Sequence, residues 1–506
     1  MKIKKFTYHV KGILLLAPLF FSLQSCEKLL DEKIYNSQNI ESFYSTASQA
    51  EIALNGVYSS LWDYMYKDGY HVILGDIPGE VAQANNNPNE FDLFAWTSSS
   101  SELNNYWVAA YTGINRANTL IDNLVKSSVE AKDQNRIIGQ AKFLRALYYF
   151  NLVKVFGGVP LHSTATMSSN DAAKERASQQ DVYDFIVKDL IESTELLGSF
   201  SSADHTAGRV TSAAARSLLA KVYLQQRKWG EAALTAKAVI DLGVYQLLSD
   251  YNQVNDPAFK NSKEHIFSIQ NGGKDNLPTS SDGNFNYFTI PAISFEGKQV
   301  EFSASGGGAR IQIEESFYAN EPKTNRQYYS YRDFMPYYFA LGSFDKINAR
   351  VPLDRVRLVK FFHPNLATKE LRSSVNTPIL RYSDMLLTYA EALNEQLGPN
   401  SEAIAALNQV RRRARGEGTV NEQSESIYPD LSLALSKEQF RQAILIERAR
   451  EFIAEGERRN ELNRHDLLAS TIKEHRNITI KPGYVLYPIP EVQRSLNSLL
   501  SQNPDY

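Results

Sequence analysis

A chain of 506 residues with a formal net charge of -3 holds one large domain or two ordinary ones, and its charge offers no basic footprint for nucleic acid. Its one cysteine closes no internal disulfide and builds no CxxC-type metal site. The 28 tyrosines and 25 phenylalanines supply aromatic faces of the kind that bind sugars and other amphipathic ligands.

At the N-terminus, Lys2, Lys4, Lys5 and Lys11 precede an apolar run, Ile13 to Phe21, that is too short to span a bilayer. This predicts a signal peptide over residues 1–25. Leu23, Gln24 and Ser25 before Cys26 resemble a bacterial lipobox, with Gln24 where a smaller residue is usual. That resemblance implies cleavage before Cys26 and lipid attachment to it; the other reading is a secretory signal with an incidental thiol. Residues 26–39 read as a polar tether.

Helical spacing begins with Ile52, Leu54, Val57, Leu61 and Met65, with Ser45 or Thr46 as cap. It fails over about 66–105, where Asn85, Asn86, Asn87 and Pro88 and a serine run predict a long surface excursion. It returns in YWVAAYTGINRANTLIDNLV and in IIGQAKFLRALYYFNLVKVFGGVP, a helix apolar on nearly every side that Gly157, Gly158 and Pro160 should stop. Ala215, Leu219 and Val222, then Ala233, Ala236 and Ile240, predict a tetratricopeptide-type hairpin with its turn near Lys228 to Gly230. A second hairpin spans Arg381 to Arg413 with Ser401 as its cap, and Ser436 with Gln439 fits a capping box. Between the two hairpins, about 249–378, glycine, asparagine, serine and aromatic residues replace the periodicity. So long an irregular stretch is usually functional or disordered, and its aromatic content argues against disorder.

From end to end the chain resembles the SusD/RagB-like family of outer membrane nutrient-binding lipoproteins of Bacteroidetes-type bacteria. The resemblance is carried by CEKLLDE, YWVAAYTGINRANTLIDNL, QAKFLRALYYFNLVKVFGGVPL, AKVYLQQRKWGEAALTAKAVI, TPILRYSDMLLTYAEALNE, IERAREFIAEGERRNEL and LYPIPEVQRSLNSLLSQNPDY, in that order. It implies a mainly α fold: a tetratricopeptide-like scaffold over about 40–245 and 379–470, with ligand-binding excursions, in a single domain of residues 40–506. It also implies a lipid-anchored position on the outer membrane surface, a glycan ligand, and a TonB-dependent, SusC-like transporter as partner. Glu27, Asp31 and Glu32 resemble the family's surface-export signal.

A saccharide needs aromatic faces beside hydrogen-bonding side chains. The first excursion offers Trp96 with Asp76, Glu80, Asn85 and Asn86; the second offers Asn286, Tyr287, Tyr328, Tyr329 and Tyr331, with Arg332 or Asp333 as polar additions. Trp96 is read equally as core, since large aromatics are mostly buried. The run Arg411 to Arg415 reads as solvated cations at a helix end, and Glu447, Arg448, Arg450, Glu451, Glu455 and Arg458 as helix-surface ion pairs that link helices. No G-x-S-x-G elbow or HExxH motif is present, and the histidines lack metal-ligand spacing. The sequence therefore predicts a binding protein without catalytic residues, cofactor or metal. A protein-binding scaffold and a surface glycosidase are the alternatives.

Overall fold

The structure, a computed structural model, describes residues 43–66, 69–84, 89–200, 207–272, 375–420 and 422–506, with short pieces between 294 and 361. Helix α1 (Ala47–Leu61) starts on a capping box: the Thr46 hydroxyl accepts the Gln49 N–H at 3.3 Å, and the Gln49 side chain accepts the Thr46 N–H at 3.2 Å. After α2 (Tyr70–Gly75) and the short strand β1 (Ala82–Ala84) come two long helices, α3 (Ser101–Leu124) and α4 (Ala131–Phe156). As its sequence predicts, α4 is buried on most sides, through Phe143, Leu144, Tyr148, Tyr149, Leu152 and Val153, and it ends at Gly157, whose φ is 73°. Gly113 lets α3 approach it closely, because a Cβ there would lie 2.3 Å from the Tyr148 ring.

The chain continues through α5 (Gln179–Leu197), α6 (Ser212–Gln225) and α7 (Trp229–Ile240). The strands β2 (His265–Ile269), β3 (Ile311–Ile313), β4 (Tyr331–Pro336), β5 (Arg350–Leu358) and β6 (Thr377–Arg381) follow. They form antiparallel pairs: β1 with β3, β2 with β6, and β4 with β5. The helices resume as α8 (Tyr382–Leu397), α9 (Ser401–Arg415), α10 (Lys437–Glu451), α11 (Arg458–Arg464), α12 (Leu468–Arg476) and α13 (Glu491–Leu496). From α3 to α9 each helix packs on the next in sequence, and α10 packs on α8. Buried Ala213, Ala214, Ala232, Ala233 and Ala236 keep the α6–α7 contact close. Buried apolar residues from Tyr44 to Leu500 form one contiguous core.

Two expectations change. The cap of α9 is Asn400, not Ser401: its extended backbone has the non-helical geometry of a cap, and its side chain accepts the Ala403 N–H at 3.0 Å. The first part of the first excursion does not run over the surface, since residues 71–82 are all buried, whereas Leu93, Ala95, Thr97 and Ser99 further along it are exposed. Helix α2 and β1 satisfy backbone groups there, and Val72, Leu74, Ile77 and Val81 enter the core.

Candidate functional site

The two excursions meet. Ala82 pairs with Ile313, Gln83 with Gln312 and Ala84 with Ile311, so the first excursion lies against the second across the β1–β3 ladder. The Gln83 side chain donates to the Ile313 carbonyl at 3.3 Å, and the Glu314 N–H donates to Val81 at 3.1 Å. Arg476 of α12 braces the ladder by donating to the Ala82 carbonyl at 2.5 Å, with Glu314 at 3.5 Å and Asp92 at 3.6 Å.

A cluster of amides fixes the neck where the second excursion leaves β2 and returns to β6. Asn271 donates its N–H to Asn376 Oδ1 at 3.0 Å and its amide to the Val375 carbonyl at 2.8 Å. Asn376 in turn donates to Gln270 at 3.0 Å, and Gln270 to Asn261 at 3.0 Å. Trp62, in the π turn Trp62–Tyr66 that follows α1, donates its indole N–H to Asn271 Oδ1 at 3.3 Å and keeps its ring partly exposed. Asn271 and Asn376 are themselves buried and bonded within the cluster, so what the neck presents to a saccharide is the partly exposed Trp62 ring they hold in place. Sequence periodicity missed Trp62 because it lies inside the helical spacing that runs from Ile52 to Met65, where an aromatic residue reads as part of the frame.

The structure removes three sequence candidates from any ligand face. Trp96 is 2% exposed: it donates to the Tyr506 hydroxyl at 2.6 Å, and the rings of Tyr487, Phe94 and Tyr484 lie 4.6, 4.9 and 5.3 Å away. The core reading of this residue is the correct one. Asp76 is buried beneath the start of α11, where it accepts the N–H groups of Gly456 at 2.9 Å and Arg458 at 3.1 Å. Glu80 is buried against Arg458, whose Nε donates at 2.9 Å; burial alone would raise the Glu80 carboxyl, and Arg458 holds it below its ordinary value. Tyr331 lies in β4, paired with Leu358. Cys26, Asn85, Asn86, Asn286, Tyr287, Tyr328 and Tyr329 lie outside the described residues.

The charged runs need a second correction. Arg411, Arg413 and Arg415 are buried, not solvated, and Glu447, Arg448, Glu451 and Arg458 are interior as well. Glu451 accepts from Arg381 at 2.8 Å, from Arg326 at 3.1 Å and from Arg413. Glu447 accepts from Arg326 at 2.6 Å and from Arg411 at 3.2 Å. Burial would raise the Glu451 carboxyl, but Arg413, Arg381 and Arg326 hold it far below the usual carboxylate range. These pairs do link helices, and they also seat the second excursion: Arg326 bonds to α10, and Lys360 donates to the carbonyls of Glu451 and Ile453 at 3.0 and 3.1 Å. Fully enclosed carboxylates at these spacings need cations from elsewhere in the chain, which converts a predicted surface pattern into an interior one.

Two family models match the chain. One, described as starch-binding associating with outer membrane, matches residues 28–224, and that of the SusD family matches residues 309–506. The chain belongs to the SusD/RagB family. Among relatives, SusD-like protein P2 of Formosa agariphila is 26% identical over 96% of this chain and 98% of its own length. A SusD homolog from Bacteroides thetaiotaomicron shares the fold with a TM-score of 0.73 at 23% identity, covering 92% of this chain and 98% of that one. A laminarin-binding SusD-like protein superposes with a TM-score of 0.71 at 24% identity, covering 91% and 99%. No helix among the described residues is long and apolar enough to cross a membrane.

Proposed function

We propose that this protein is a cell-surface lipoprotein that binds a glycan and delivers it to a TonB-dependent, SusC-like outer membrane transporter. The observation that carries the reading is the β1–β3 ladder, which joins two asparagine- and aromatic-bearing stretches, far apart in sequence, at one place. Trp62 adds a partly exposed ring, held by the buried neck amides, beside the second stretch. In support, the family description couples starch binding with the outer membrane, and one protein of the same fold is named for binding laminarin. Asn85, Asn86, Asn286, Tyr287, Tyr328, Tyr329 and Tyr331 are the further ligand contacts of this reading, Cys26 is its lipid anchor, and residues 40–506 act as one domain without catalytic residues.

Titration of the purified protein with laminarin, starch and a panel of other polysaccharides tests the binding reading. Saturable binding to at least one, without its breakdown, is the expected result; binding to none rejects the reading. For the anchor, Cys26→Ala should move the protein out of the outer membrane fraction. For the partner, purification in mild detergent through a tag on this chain should bring down a large outer membrane protein.

A further inference from the structure

Beneath the turn between α10 and α11 lie two adjoining polar cavities, of about 30 and 20 Å³, which share Tyr66, Glu455 and Glu457 as walls. The larger is also lined by Tyr106, Lys154 and Arg459. Several polar atoms around it lack hydrogen-bond partners among the described residues. Arg459 is 1% exposed and its Nε has no hydrogen-bond partner. Tyr106 is 4% exposed, and no side chain or carbonyl among the described residues bonds its hydroxyl. The Lys154 ammonium has its nearest carboxylate, Glu457, at 3.7 Å, outside hydrogen-bond reach, and otherwise faces the Phe150 ring at 4.6 Å. A buried donor left unsatisfied costs about 1–3 kcal/mol, and an ammonium costs more.

We propose that this pair of cavities is an internal hydration site, in which one or two ordered waters in the larger cavity bridge Arg459, Tyr106 and Lys154 to Glu457, and one in the smaller bridges Tyr66 to Glu455 and Glu457. The size fits, since a water needs about 10–15 Å³ of such space and two to four polar partners. The charge also fits. Lys154 and Arg459 balance Glu455 and Glu457 around the larger cavity, so neither a free anion nor a metal cation has a net field to hold it. His71 in the same wall stays neutral at ordinary pH, because burial pushes its imidazole down to about 4. The site hydrates the one turn that receives Asp76 from the first excursion and bonds Lys360 from the second.

A high-resolution crystal structure of the protein grown in bromide tests the proposal. Expected are non-anomalous oxygen peaks within about 3.2 Å of Arg459 Nε and Lys154 Nζ. An anomalous bromide peak there, or cavities without density, would overturn it. Oxygen-17 relaxation dispersion of the same protein in solution should count long-lived waters, and Tyr106→Phe, which removes a partner without filling the space, should lower the count or shorten a residence time. An unchanged dispersion profile in that variant counts against the site.

Discussion

The helical frame and the two excursions obey different rules of placement. The frame is held by periodic apolar faces, so α1, α3, α4 and α6 to α10 could be read from their own residues. The excursions are held by partners distant in sequence: β1 by β3, Asp76 by the backbone of α11, Arg326 and Lys360 by α10 and the turn after it. A segment without periodicity is thus not a segment without structure. The order of its described parts comes from the other excursion through the β1–β3 ladder and from the frame through backbone bonds and buried ions.

Removing the shared carboxylate should disturb both regions most. Glu451→Ala leaves Arg326, Arg381 and Arg413 without their common partner, and breaking a buried pair in this way costs about 3–5 kcal/mol. Chemical denaturation should register that loss, and a stability within 1 kcal/mol of wild type, on the order of a surface pair, would mean the cluster is solvated after all. Trp96→Ala should cost a similar amount, about 3–5 kcal/mol, because it empties a packed aromatic core. It sharpens the comparison when glycan affinity is measured on the folded variant, which should be close to wild type. Trp62→Ala should do the reverse: affinity falls by about 2 kcal/mol if the ring carries a stacking contact, while stability changes little for a partly exposed side chain. Equal affinity in wild type and variant would remove Trp62 from the ligand face.

The smallest effect is one of pH. Burial pushes the Asp76 carboxyl up from 3.8 to about 7, against the N–H groups of Arg458 and Gly456. Its stabilising contribution is complete below the unfolded value and is lost as pH rises through 7. Burial pushes His71 down from 6.5 to about 4, so the unfolded chain takes the proton first and stability is lost as pH falls through that interval. The two slopes oppose each other in wild type. Asp76→Asn should therefore make stability rise more steeply from pH 4 to 6.5, and His71→Gln should make it fall, in thermal unfolding across that range.

Much of the frame was legible in the sequence. The spacing of α4, the capping box at Ser436 and the alanines of α6 and α7 each name a local structure whose physics is local. The site was legible only in outline. An aromatic residue does not state whether its ring faces ligand or core, and Trp96 became core through Tyr484, Tyr487 and Tyr506, at the far end of the chain. Likewise, the Arg411–Arg415 run declares charge and not burial, because Glu264, Glu447 and Glu451, which enclose it, lie elsewhere in the sequence. The pairing of residues 82–84 with 311–313 has no local signature at all.

The contact beneath α2 carries a consequence for engineering. A Cβ on Gly75 would lie 2.0 Å from the Gly456 carbonyl, and one on Gly456 would lie 2.5 Å from the His71 carbonyl. Two main chains therefore touch with no room for a side chain on either, and no enlargement at one position can be compensated by trimming the other, which is already as small as it can be. A loop transplanted from another family member to change ligand preference must keep glycine at both junction points. The stretch after β1 is then the part open to exchange, while the seat beneath it is not.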